Sequence, residues 1–200
     1  MTKPYNYTYF INFMLSSSLL IISLLVTPIQ SEAQKGPIAV ENWFSKLPNA
    51  KEKLTKLHFY FHDIVSGKKP TAVPVARANS TFASPTYFGL VSVIDNPLTA
   101  APAPKSQIVG RARGITAYTS FTDFSLLMTL NLVFTSGEYN GSTLSVVGYN
   151  PFTQEYREMP ILGGSGLFRL ARGVATAQTA KFNRRTGNAV VEYNVMVLHY

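Results

Sequence analysis

The residue best placed to do chemistry in this sequence is a carboxylate at the end of an apolar alternation. From Leu57 to Asp63 the side chains alternate. Leu57, Phe59, Phe61 and Asp63 fall on one side of an extended chain, and His58, Tyr60 and His62 fall on the other. On an inward face Asp63 would be costly to ionise without a partner, and its pKa would rise. A carboxyl tuned upward in this way can act as a general acid or base. Alternation also permits a second placement, with Asp63 turning out to solvent or capping the turn at Gly67. The remaining polar residues suggest less. Three histidines, His58, His62 and His199, are present. His58 and His62 share a face, but four strand residues separate them by about 13 Å, too far for one metal. No metal site and no cofactor are expected. The glycines of Gly163-Gly164-Ser165-Gly166 precede neither a Lys-Ser/Thr pair nor a helix and read as a tight β connection. No Gly-x-Ser-x-Gly elbow is found on a strand-to-helix turn. Arg111 and Arg113 share a strand face and read as solvated or structural, while Arg169 and Arg172 fall on opposite faces. The absence of cysteine excludes thiol catalysis and thiolate-bound metals.

These residues are expected to be carried by strands. Period-two segments are read at 57–63, 72–79, 87–94, 108–119, 124–135, 142–149, 168–181 and 189–199. Turn-rich runs separate them at 67–70, 95–97, 137–141 and 184–188. Eight strands without crossover helices predict an antiparallel sheet, closed into a barrel or folded into a sandwich. In 124–135, Phe124, Leu126, Met128, Leu130, Leu132 and Phe134 line one face, yet Leu127 and Val133 make the other partly apolar. That predicts a cover, either a partner subunit or another segment. Residues 34–54 form an arm with at most a short helix, since Pro48 interrupts the pattern of Trp43, Phe44 and Leu47.

The first 33 residues read as a cleaved export leader in preference to a transmembrane anchor, which the apolar run is about long enough to form. Lys3 precedes the apolar run from Phe10 to Val26, and Ser31-Glu32-Ala33 offers small residues for cleavage. The leader predicts a secreted, extracellular protein. An apolar content of 46% supplies a core for one domain, expected over 55–200. A net charge of +8 favours acidic surroundings, such as an anionic polysaccharide. Lys and Arg are scattered along the chain, so nucleic acid is not expected as a partner. Asn79-Ser80-Thr81 and Asn140-Gly141-Ser142 are glycosylation sequons.

Several segments in combination resemble the plant dirigent family. They are Leu57-His58-Phe59-Tyr60-Phe61-His62-Asp63-Ile64, Phe88-Gly89 through Asp95-Asn96-Pro97-Leu98-Thr99, Val109-Gly110-Arg111-Ala112-Arg113-Gly114, and Arg157 through Gly166 continuing to Ala175-Thr176. The arm Glu41-Asn42-Trp43-Phe44 and the ending Tyr193 to Tyr200 are similar to the large dirigent-like branch and less so to the best-known lignan-forming branch. The resemblance implies an eight-stranded antiparallel barrel of the allene-oxide-cyclase-like type, usually a homotrimer, in the apoplast. It implies Asp63 and Arg157 as the reacting pair of a pocket, with Tyr118 and Thr179 lining it. Asn150 stands where lignan-forming members carry a second aspartate, and Thr116 where they carry a tyrosine. An asparagine is neither acid nor base near neutrality, so chemistry with two carboxylates is not expected here.

The expected function is stereoselective coupling of phenoxy radicals, supplied to a phenolic-binding pocket by an external laccase or peroxidase. A second reading is cofactor-free ring closure of a quinone methide by proton transfer. A third is a non-catalytic barrel that binds a phenolic or a wall polysaccharide.

Overall fold

The computed structural model describes residues 36–200; the expected leader lies outside the described residues. A helix, α1 (Pro37–Lys46), opens with proline in its first turn and passes into a 3-10 turn at Leu47–Asn49. Pro48 falls in that turn, so the helix ends where its ring would break the hydrogen-bond ladder. Nine strands follow: β1 (Lys53–Asp63), β2 (Ala72–Ala76), β3 (Val91–Thr99), β4 (Ile108–Tyr118), β5 (Leu126–Phe134), β6 (Thr143–Asn150), β7 (Tyr156–Ser165), β8 (Arg172–Phe182) and β9 (Ala189–His199).

The strands pair antiparallel in the order β1-β9-β8-β7-β6-β5-β4-β3, and β3 returns to β1 through Tyr60↔Thr99 and Phe61↔Leu98. Eight strands therefore close a barrel, and closure removes the exposed edges an open sheet would present. β2 is an extension: it pairs with the first half of β3, Ala72 opposite Ile94, while β1 takes the second half. β1 and β2 thus flank β3 one after the other, separated by the loop at 64–71.

Several expectations need correction. Residues 95–97 are not a turn but the middle of β3. By parity the N–H that Pro97 lacks would face the gap where β2 pairing has ended and β1 pairing has not begun, so nothing is left unpaired. Tyr156–Ser165, read in part as a loop, is the strand β7. Its proline sits just outside the β6 ladder, which begins at Val146↔Ile161, and Gly148 leaves space for the Pro160 ring: a Cβ there would lie 3.0 Å from Pro160 Cδ. The strand expected at 168–181 begins only at Arg172, after a 3-10 turn at Gly166–Phe168.

The inward faces pack one half of the barrel solid. Phe59 stacks on Tyr193 with ring centroids 5.7 Å apart and meets Phe134 at 6.4 Å. Phe134 packs on Phe168 at 5.7 Å, and Tyr139 closes over Phe168 at 5.0 Å. Each buried aromatic or aliphatic side chain contributes about 1.5–3 kcal/mol, so this end anchors the fold. As the alternation predicts, Met128, Leu130, Leu132 and Phe134 of β5 are buried. On the outside, Asp95 bridges Arg111 (Nε–Oδ1 2.5 Å) and Arg113 (3.1 Å). The outer face also carries exposed apolar residues in register: Val73, Val93 and Ile115 across β2–β4, and Leu127 opposite Tyr149 across β5–β6.

Close strand approach depends on glycine at several positions, Gly114 and Gly173 among them. A Cβ at Gly173 would overlap the carbonyl oxygen of Met196 on β9, whereas Gly163 has no heavy atom within 4 Å of its Cβ position. Gly173→Ala is expected to cost about 1–3 kcal/mol, and Gly163→Ala to stay within about 0.5 kcal/mol. Denaturant unfolding followed by circular dichroism checks both; equal stability of the two variants would contradict the pairing of β8 with β9.

Candidate active site

The open half of the barrel holds a cavity of about 980 Å³, at the upper end of the range for small-molecule sites. Its floor is Phe61, Met128 and Tyr193, and its walls include Leu126, Phe152 and Val191. All six residues assigned to the pocket from sequence line it: Asp63, Thr116, Tyr118, Asn150, Arg157 and Thr179. They come from five strands, β1, β4, β6, β7 and β8. Each is an inward position of its strand near the same end of the barrel, which is why residues far apart in sequence converge.

Asp63 points inward, so of its two possible placements the cavity is the one adopted. Burial raises its pKa, and a hydrogen bond from Asn96 Nδ2 to Oδ1 at 3.1 Å draws it partly back. Asn96 is itself fully buried and accepts from Thr71 Oγ1 at 2.5 Å. The loop between β1 and β2 is thereby tied to the carboxyl through one amide. Asn96 is the residue that sequence reasoning missed, because Asp95-Asn96-Pro97 looked like a turn. The burial of Ile94, Asn96 and Leu98 shows the alternation that could have found it.

Arg157 is 3% exposed. Its Nη1 donates to Thr179 Oγ1 at 3.0 Å and to the Gln154 carbonyl at 3.4 Å, and its Nε has no partner among the described residues. Burial lowers its pKa, but a guanidinium starts so high that it stays charged near neutrality. Tyr193 feels both charged groups: burial raises its pKa strongly, Arg157 lowers it and Asp63 raises it further. Tyr118 is also raised, first by burial and then by Asp63. Both phenols therefore remain protonated donors or neutral ring walls. Asn150 donates from Nδ2 to Met128 Sδ at 2.8 Å. The mouth carries further aromatics, with Tyr118 against Phe152 at 6.0 Å and Tyr87 against Phe124 at 6.4 Å. Tyr87 holds a positive φ of 57°, unusual for a residue with a side chain. Asn79 and Asn140, the sequon asparagines, are exposed in turns.

A closed antiparallel barrel with one desolvated carboxyl, one buried guanidinium and aromatic walls is a small-molecule pocket able to transfer a proton and orient a ring. The match to known proteins is more specific. Residues 54–198 fit the family model described as Dirigent-like protein, and the chain belongs to the dirigent family. It is 53% identical over 148 residues to Dirigent protein 21 of Arabidopsis thaliana, covering 74% of this chain and 78% of that one. It is 45% identical over 150 residues to Pterocarpan synthase 1 of Glycyrrhiza echinata, covering 74% and 80%. A solved structure of a pterocarpan synthase dirigent protein superposes with a TM-score of 0.71 at 44% identity, covering 76% of this chain and 87% of that one.

The raised pKa of Asp63 makes a prediction about stability. Between the ordinary carboxyl value, about 3.9, and its own higher value, the native protein holds a proton that the unfolded chain has lost. The contribution of Asp63 to stability is therefore full below the ordinary value and is lost as pH rises through the raised one. Thermal unfolding of Asp63→Asn across this window is expected to lack that decline. Parallel curves for variant and parent would show that the carboxyl is not desolvated.

Proposed function

We propose that the barrel binds a phenolic benzylic alcohol or its quinone methide and closes a ring on one face of it. The observation that carries this reading is a single desolvated carboxyl in an apolar cavity also lined by Arg157. Protonated Asp63 donates its proton to the leaving hydroxyl, which departs as water, and the conjugated phenol gives up its own proton. A quinone methide results. A second phenolic oxygen attacks the methide carbon and releases its proton to the carboxylate, while the carbonyl oxygen is reprotonated to a phenol. The balance is one substrate to one cyclic ether and one water, with no oxidant. Arg157 donates to the oxygen that carries negative charge during these steps, and aromatic walls present one face of the ring. A difference of about 1.4 kcal/mol between faces gives tenfold selectivity. The 45% identity to a protein named pterocarpan synthase supports the same chemistry.

The volume of the cavity favours a second reading. About 980 Å³ leaves room for two phenolic rings, as coupling of two phenoxy radicals made by a separate laccase or peroxidase requires. In that case Asp63 orients a ring hydroxyl. The apolar outer face over β2–β6 supports a homotrimer in either reading; Val93→Asp with Leu127→Asp should then lower the mass seen by light scattering, and an unchanged mass would place the contact elsewhere.

Purified protein supplied with an isoflavanol-type precursor and no oxidant should release the cyclised product. Asp63→Asn should lower kcat by about 10²-fold or more, and the parent rate should fall as pH rises through the raised pKa of Asp63, since the acid form is consumed first. No protein-dependent turnover rejects ring closure. The coupling reading is then tested with laccase and a monolignol by chiral chromatography, where a racemic product rejects it.

A further inference from the structure

Lys68, Lys69, Arg184 and Arg185 are distant in sequence but meet at one rim of the barrel. The loop after β1 and the turn between β8 and β9 are joined by four hydrogen bonds. Val65 N and Ser66 N donate to Asn188 Oδ1 at 3.0 and 3.1 Å, Ser66 Oγ donates to the Thr186 carbonyl at 2.8 Å, and Asn188 Nδ2 donates to the Ser66 carbonyl at 3.4 Å. Glycine at 187 permits this approach: its φ is +74°, and a Cβ there would come within 2.9 Å of Val65 Cγ2. The turn is further pinned by Arg185 N donating to Asn183 Oδ1 at 3.0 Å. All four cations are exposed. None of them has an ion-pair partner among the described residues, in contrast to Arg111, Arg113 and Arg172, which do. Lys181, also exposed, stands at the end of β8 beside them. The scatter of basic residues along the sequence thus becomes a cluster in the fold.

We propose that this rim is a binding site for a linear carboxylated polysaccharide. Like charges held on a braced platform repel one another in the free protein, and a polyanion with regularly spaced carboxylates relieves that repulsion at several points at once. A single carboxylate would engage only one of them. Phe182, 58% exposed, adjoins the cluster and lines the cavity mouth, giving a sugar ring an apolar face to lie on. The expected export leader favours polysaccharide over nucleic acid as the polyanion. Bound there, the polymer would hold the barrel at a fixed place with its cavity mouth alongside the chain.

The test needs no substrate turnover, so it stands apart from the ring-closure reading. Binding of the full-length protein to polygalacturonate oligomers is measured by calorimetry at low and high salt. The comparison is between Lys68→Gln/Lys69→Gln/Arg184→Gln/Arg185→Gln and a control that removes as many charges elsewhere, Lys51→Gln/Lys53→Gln/Lys56→Gln/Lys105→Gln. Circular dichroism verifies that both fold. The rim variant should bind about tenfold more weakly or worse, the control within about twofold, and affinity of the parent should fall with salt. Equal losses in both variants, or no binding by the parent, overturn the proposal. Galacturonate monomer that binds as tightly as the oligomer would indicate a single-carboxylate site and overturn it too. Tighter binding of a single-stranded oligonucleotide at the same rim would do the same.

Discussion

The shortage of water around Asp63 is the constraint on which the site depends. A carboxyl placed among Phe61, Val191 and Tyr193 resists ionisation, and the barrel offers it the amide of Asn96 rather than a cation. An arginine in contact would have held the carboxylate charged and unable to donate. Arg157 is instead bound to Thr179 and the Gln154 carbonyl, so the two charged groups share a cavity without forming an ion pair. One group can give a proton while the other supplies positive potential, which a salt-bridged pair could not do.

That arrangement needs a barrel that is half filled. The stack of Phe59, Tyr193, Phe134 and Phe168 supplies the packed end of the barrel. Tyr193 belongs to both halves: its ring completes the stack, and it lines the cavity that holds Asp63 and Arg157. Asn96 is a second joint, because Thr71 and Asp63 meet on its side-chain amide. Through it the loop that carries Lys68 and Lys69 is two hydrogen bonds from the carboxyl.

Much of this was legible in the sequence. Alternation along 124–135 assigned the buried face correctly, and around Asp63 it offered the inward face as one of two placements, because successive residues in a strand point to opposite sides whatever the neighbouring strand. The resemblance supplied the remaining pocket positions, and all of them line the cavity. The failures share a cause. Pro97, Pro160 and the glycines at 163–164 are turn formers by local preference, yet they sit in β3 and β7. A proline is tolerated in a strand where the ladder has a gap, and a gap is a property of the partner strands. Asn96 was lost with the supposed turn.

The sequence alone determined the all-β character, the inward face of each well-patterned strand and the absence of thiol chemistry. Those follow from residue type and from period-two geometry, which are local. Tertiary structure decided which strands close the ring, that β2 continues the wall beyond β1 along the same edge of β3, that Asp63 faces a cavity, and that four scattered cations share a rim. These depend on pairings between residues more than a hundred positions apart, such as Asp63 with Ala189 and Ser66 with Thr186. Local preference carries no information about which distant partner supplies the hydrogen bond, so which strand pairs with which was decided by the fold.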